Sequence, residues 1–171
     1  MIIAETKRLI ISKVTLIDAP FFLELMNTPH WLKYIGDREI KTLKDSEENL
    51  KNGILKSYKE FGFGFYKVLL KDHANKPIGT VGLVKRKELE HVDIGFGFLP
   101  AYEGRGYGFE ASIAIMTLAE HKFNLEKITA ITDPINNNSI KLLEKLGLTL
   151  EKRIIPFDDG KELLLFAKTF N

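Results

Sequence analysis

Ala101-Tyr102-Glu103-Gly104-Arg105-Gly106-Tyr107-Gly108-Phe109-Glu110-Ala111 is the stretch on which the reading of this chain turns. Its glycines follow a strand-like run, His91 to Leu99, and precede an apolar helical run, Phe109 to Phe123. Strand, glycine turn and helix N-terminus aim backbone N–H groups at one place. The first N–H groups of a helix lack internal partners, and the helix dipole is positive there. Glycine lets an anion approach the backbone without meeting a Cβ. The pattern predicts a site for a phosphate-bearing ligand in mid-chain. A tight turn without a ligand is the alternative that the glycines alone leave open.

Two common phosphate loops do not fit. A dinucleotide fold needs G-x-G-x-x-G after its first strand and an acidic residue about 20 residues on. Here the glycines run G-x-G-x-G past residue 100, with no such partner. A Walker loop needs G-x-x-x-x-G-K-[ST], which Arg105 and Tyr107 do not supply.

Downstream, Asn136-Asn137-Asn138-Ser139-Ile140-Lys141-Leu142-Leu143-Glu144-Lys145-Leu146-Gly147-Leu148 repeats the scheme after a strand-like run, Lys127 to Thr132. Asn136 is a good N-cap, and Ile140, Leu143 and Leu146 recur at helical spacing. Gly147 suits the residue after the helix, with Leu148 as its apolar partner. Two strand–helix units therefore open with polar backbone.

At these residues the chain resembles the GNAT superfamily of acyl-CoA-dependent N-acetyltransferases. The family loop [Q/R]-x-x-G-x-[G/A] matches Glu103-Gly104-Arg105-Gly106-Tyr107-Gly108 at both glycines, with Glu103 at the first position. The family's N-x-x-S…G-[FL] helix matches Asn136, Ser139, Gly147 and Leu148. Glu5-Thr6-Lys7-Arg8-Leu9-Ile10-Ile11, Asp18-Ala19 and Tyr34-Ile35-Gly36 resemble the opening of the RimJ/RimL-like subgroup, which includes ribosomal-protein N-terminal acetyltransferases. The resemblance spans nearly the whole chain.

The remaining pattern agrees. Lys7 to Val14 reads as a strand, and Thr15 with Asp18 as a capping box opening a helix to about Asn27. A short helix is predicted over Pro29 to Tyr34. Thr42 with Asp45 opens a long helix, Leu43 to Glu60. Strands are predicted over Phe63 to Leu70 and Ile78 to Arg86. Thr149 to Ile155 and Lys161 to Thr169 pair as a hairpin across Pro156 to Gly160. The order βααβββαβαββ gives one α/β domain over residues 1–171. With the resemblance it implies a GNAT fold: a mixed, mostly antiparallel sheet of about seven strands with a V-shaped splay. Leu163-Leu164-Leu165-Phe166 is either a buried strand or a dimer seam, so monomer and homodimer both stand.

A chain of 171 residues at net charge +2 gives no electrostatic argument for nucleic acid. It has no cysteine, which excludes disulfides, thiolate nucleophiles and cysteine–metal sites; no metal is expected. No apolar run reaches membrane-spanning length, and Met1 to Glu5 does not read as a signal peptide. A cytoplasmic protein without membrane contact is the expectation.

The resemblance implies acetyl-CoA as co-substrate. The N–H groups from Gly104 to Gly108 would hold its pyrophosphate, with Glu103 and Tyr107 in the same loop and Arg105 adding charge. The pantetheine arm would lie on the strand edge Phe96 to Leu99, taking in Phe98 and Leu99, with Asn136 bonding the arm. Gly95 and Gly97 mark a strand where something approaches closely. An acceptor ammonium, of pKa about 10, must lose a proton before it can attack a thioester. Asp93, sharing a strand face with Gly95 and Gly97, is the candidate base, with His91 nearby; a salt-bridged carboxylate is its alternative. A backbone N–H near Phe98 is the implied oxyanion donor. Many relatives protonate the departing thiolate with a tyrosine four residues before the helix-terminal glycine. That position is Leu143, so Ser139 is the implied substitute. The resemblance implies that the segment holding His30, Trp31 and Tyr34 roofs the acceptor, with packing into the core the alternative for Trp31. The acceptor is a protein N-terminus or a small amine. The alternative function is a non-catalytic acyl-CoA sensor of the same fold.

Overall fold

The structure, a computed structural model, describes all 171 residues. Eight strands form one sheet: β1 (Ile2–Glu5), β2 (Leu9–Lys13), β3 (Phe65–Leu70), β4 (Lys76–Val84), β5 (Asp93–Phe98), β6 (Lys127–Thr132), β7 (Thr149–Ile154) and β8 (Leu163–Thr169). Their spatial order is β1-β2-β3-β4-β5-β6-β8-β7. Every pairing is antiparallel except β5 with β6. The mixed, mostly antiparallel α/β sheet expected from the sequence is therefore present, with one strand more than expected. The extra strand is β1, which turns at Thr6 to pair with β2. Four residues at the end of a chain carry too little periodicity to announce an edge strand. Leu163 to Phe166 is buried in β8, flanked by β6 and β7, so it is a strand of the sheet.

The helices are α1 (Ala19–Leu25), α2 (Pro29–Tyr34), α3 (Leu43–Leu50), α4 (Lys56–Phe61), α5 (Tyr107–His121) and α6 (Asn137–Lys145). Pro20 sits in the first turn of α1, where its missing N–H costs nothing. Thr42 and Asp45 cap α3 reciprocally, at 2.9 and 3.1 Å. α3 and α4 run on through a π-helical turn, Lys51–Leu55, where one long helix was expected. Gly53 lies in this turn, and its backbone freedom permits the wider winding. α5 begins at Tyr107, two residues earlier than expected, which brings Gly108 into its first turn.

α5 packs across β2, β4 and β5. Its Ala111, Ile115 and Ala119 are fully buried in the main core with Val81, Leu83 and Ile128. Of these, Ile115, Val81, Leu83 and Ile128 each contribute about 1.5–3 kcal/mol by burial. α1 and α3 form a smaller core, joining Phe22, Leu25 and Leu50 to Val14 and Leu99. No helix is long and apolar enough to cross a membrane.

The feature that positions the site is the meeting of β5 and β6. They pair only at Asp93 and Thr129, where the Thr129 N–H donates to the Val92 carbonyl at 3.0 Å. Beyond that bond the two parallel strands part. The Leu99 N–H donates to the Ile78 carbonyl of β4 at 2.9 Å. β5 is in regular register with β4 from Asp93 to Phe98, so peptide groups alternate. The groups of odd-numbered residues face β4. Those of Phe96 and Phe98 face the opening left by β6, where no strand pairs with them.

Candidate active site

The glycine loop is built to present N–H groups. Gly104 and Gly106 have φ of 71° and 82°, a region that side chains make costly. Gly106 is the N-cap of α5. The N–H groups from Gly104 to Gly108 donate to no protein acceptor. They form an anion-binding concavity at the positive end of a four-turn helix.

Arg8 braces this loop from β2's edge. Its Nε bonds Glu110 Oε2 at 2.7 Å, its Nη1 donates to the Arg105 carbonyl at 3.0 Å, and its guanidinium lies 4.4 Å from the Tyr107 ring centre. The Thr6 hydroxyl and the Arg8 N–H also donate to Glu110. Burial pushes the Glu110 carboxyl up, but these bonds from Thr6 and Arg8 outweigh it and hold it below the usual carboxylate range. The N-terminal Thr6-Lys7-Arg8 motif is thus a clamp on the loop, a hundred residues away in sequence.

Two cavities meet at the opening between β5 and β6. One, of about 380 Å³, runs from the glycine loop to Phe96 and Phe98 and has Lys141 and Lys145 on its wall. The other, of about 620 Å³, lies among α2, the π-helical turn and the strand ends, and reaches Asp93. Trp31, Tyr34, Ile35, Phe96, Asn136 and Ser139 line both.

At the junction Asn136 accepts the Ser139 N–H at 3.2 Å through Oδ1. Its amide nitrogen has no protein partner, so capping and ligand binding are compatible in one side chain. The Ser139 hydroxyl is also unpaired within the protein and borders both cavities. Leu143, one turn on, is buried and brings no hydroxyl. Tyr34 supplies a second hydroxyl at the junction.

Asp93 is only 2 % exposed, and its carboxylate lies 3.3 Å from Arg86 Nε. Burial, ahead of the opposing pull of Arg86, pushes its pKa up to about 6. One carboxylate oxygen makes no hydrogen bond. The salt-bridged alternative for Asp93 is thus present, and its raised pKa is compatible with taking up a proton near neutrality.

Other expected residues are placed differently. Leu99 packs into the smaller core and lies outside both cavities. Arg105 is exposed; the fold uses its carbonyl, and its side chain does not line the groove. Glu103 bonds His30 Nδ1 at 2.9 Å and ties α2 to the loop. His91 pairs loosely with the exposed Glu90 and lines neither cavity. The close approach to Gly95 and Gly97 is made by aromatic rings. A Cβ would come within 2.7 Å of Phe65 at Gly95 and within 2.6 Å of Trp31 at Gly97. These rings pack over the two glycines, which also border the cavities, Gly95 the larger and Gly97 the smaller.

Arg38, Arg86 and the Asp133–Lys161 pair, at 2.7 Å, also line the larger cavity. Sequence reasoning missed them. The signal for Arg86 was the β4–β5 hairpin, since pairing Val84 with Asp93 places Arg86 just past the strand end.

Comparison with known proteins agrees with this geometry. The family described as acetyltransferase (GNAT) domain matches residues 8–149. An uncharacterized N-acetyltransferase of Bacillus subtilis, YnaD, is 29% identical over 154 residues, covering 88% of this chain and 86% of that one. A GNAT-family acetyltransferase of Bacillus anthracis superposes with a TM-score of 0.79 at 26% identity, over 99% of this chain and 98% of that one. The ribosomal alpha-N-protein acetyltransferase RimL, in complex with coenzyme A, shares the fold with a TM-score of 0.81 at 15% identity, over 99% and 98%.

Proposed function

Since the chain belongs to the GNAT acetyltransferases, we propose that it transfers acetyl from acetyl-CoA directly to a primary amine, a protein N-terminus or a small amine, in a ternary complex. The observation that carries this reading is the pair of cavities opening onto one another where β5 and β6 part.

The residues present fit the co-substrate. The unpaired N–H groups from Gly104 to Gly108 suit a pyrophosphate, and Lys141 and Lys145 add positive charge on the same wall. The free peptide groups of Phe96 and Phe98 can pair with an amide-bearing arm as an added strand would. The Asn136 amide nitrogen is a further donor beside that path. Acetyl-CoA supplies an activated acetyl thioester whose sulfur leaves as a thiol.

The chain's own work is to hold and move protons. Asp93, ionised above about pH 6, takes the proton that an incoming ammonium must lose. The Phe98 N–H, aimed into the opening, can bond a carbonyl oxygen placed there. The Ser139 hydroxyl stands ready to protonate a thiolate. A thiol, of ordinary pKa about 8.5, needs less help in leaving than an alkoxide. Leu143 in place of a phenol is therefore compatible with turnover.

The test is thiol release from acetyl-CoA across peptides with free N-termini, amino acids, polyamines and aminoglycosides. Acceptor-dependent release is the expected outcome. Tight acetyl-CoA binding without release on any acceptor would favour the sensor, and absence of binding would overturn the assignment of the loop.

A further inference from the structure

The larger cavity contains a positive charge that the protein does not neutralise. Five cationic and four acidic side chains line it. Most are matched: Arg86 with Asp93, Lys161 with Asp133, Lys56 with Glu60. Lys85 donates to the Glu90 carbonyl, and Asp159 accepts the Lys161 N–H. Arg38, on the loop between α2 and α3, has neither an ion pair nor a hydrogen bond, although it borders the cavity.

Arg38 also faces a like charge. It is open to solvent, yet protein surrounds it closely enough that desolvation, and then the charge of Arg86, lowers its pKa. Arg86 has a free fork of its own: its Nε is held by Asp93, its face lies 5.7 Å from the Phe157 ring centre, and its terminal nitrogens have no protein partner. Two guanidinium groups border one cavity and only one of them is paired with a carboxylate, so an anion held between them would relieve their repulsion. Guanidinium is the side-chain group best shaped to take a carboxylate through two parallel bonds.

Building on the acetyltransferase reading above, we infer that the acceptor is an amine bearing a carboxylate, with the carboxylate held by Arg38 and Arg86 while the amine reaches Asp93. Because Arg86 touches Asp93 directly, amine and carboxylate are only a few bonds apart. That chemistry occurs in free amino acids and in polypeptide N-termini that begin with an acidic residue. It excludes polyamines and aminoglycosides, whose further cations would meet the arginines.

The experiment reads binding without requiring turnover. Trp31, the only tryptophan, lines both cavities and reports ligands by its fluorescence. With coenzyme A present and absent, the protein is titrated at low ionic strength with N-acetylalanine against N-acetylalaninamide. A second arm uses N-acetylated tripeptide amides beginning with Asp against Asn. In at least one arm the carboxylate member binds about tenfold tighter, as a charge-assisted pair allows. Arg38→Gln abolishes the difference, and Arg38→Lys restores part of it. The arm that shows the preference names the source. Equal binding in both arms, a tighter amide, or a preference that survives in Arg38→Gln would overturn the inference. If coenzyme A fails to bind while the carboxylate preference holds, the acetyltransferase reading fails and the anion site stands. If acetyl transfer occurs without a carboxylate preference, only the present inference fails.

Discussion

Asp93 combines near-complete burial with a single ion pair. Buried and paired with Arg86, its carboxyl titrates at about pH 6, well above the 3.8 of a free aspartate. In the proposed mechanism its ionised form is the base, so kcat/KM should rise as pH rises through about 6. Asp93→Asn should remove that acidic limb and lower kcat by roughly 100-fold, within the usual range for a lost general base. A pH–rate profile of both proteins checks it. The linkage runs the other way for stability. The folded state retains a proton that the unfolded chain releases between pH 3.8 and about 6, so this group makes the protein less stable as pH rises across that window. Denaturation of the wild type should show that slope and the variant should lack it. At this scale the sequence was readable where placement is local. Gly104, Gly106, Asn136 and Ser139 stand in short motifs, and each lies where the motif placed it. Arg38 and Arg86 were not readable, because both border a cavity that only the folded chain assembles.

The glycine loop and its clamp are the element on which the proposed co-substrate binding depends. Gly106 has φ of 82°, and a Cβ there would sit 3.3 Å from Arg8 Nη2. Gly106→Ala should therefore cost about 1–2 kcal/mol of stability for the left-handed backbone. It should also weaken acetyl-CoA binding by disturbing the N–H array. Arg8→Ala should weaken binding too, by loosening the loop from Glu110 and the Arg105 carbonyl. Thermal melts with calorimetric acetyl-CoA titrations would separate the two effects. Element boundaries were legible where capping chemistry marked them, as at Thr42 and Asp45. They were missed where winding or pairing is decided by contacts. The π-helical turn at Lys51–Leu55 keeps a helical pattern in sequence while it places Asn52, Gly53 and Ile54 on the wall of the larger cavity. β1 exists only because β2 offers it an edge.

For the whole molecule, the arrangement is a sheet that stops pairing in its middle. A single parallel bridge, Asp93 to Thr129, holds β5 to β6. Past it, β5 has free peptide groups on one side of the opening and α6 presents Asn136 and Ser139 on the other. The fold class was legible because strand–helix order and two polar helix starts together specify it. The joining of two cavities was not, since it depends on how far two strands diverge. The account's central claim is that acetyl transfer takes place at that junction. The most direct test is to fill it. Ser139→Phe places a ring where both cavities meet, leaving the glycine loop intact. Acetyl-CoA binding and acceptor-dependent thiol release are then measured on the same variant. The account predicts acetyl-CoA binding reduced by no more than about tenfold and thiol release reduced by roughly 100-fold or more. Thiol release at the wild-type rate with the junction filled would contradict it.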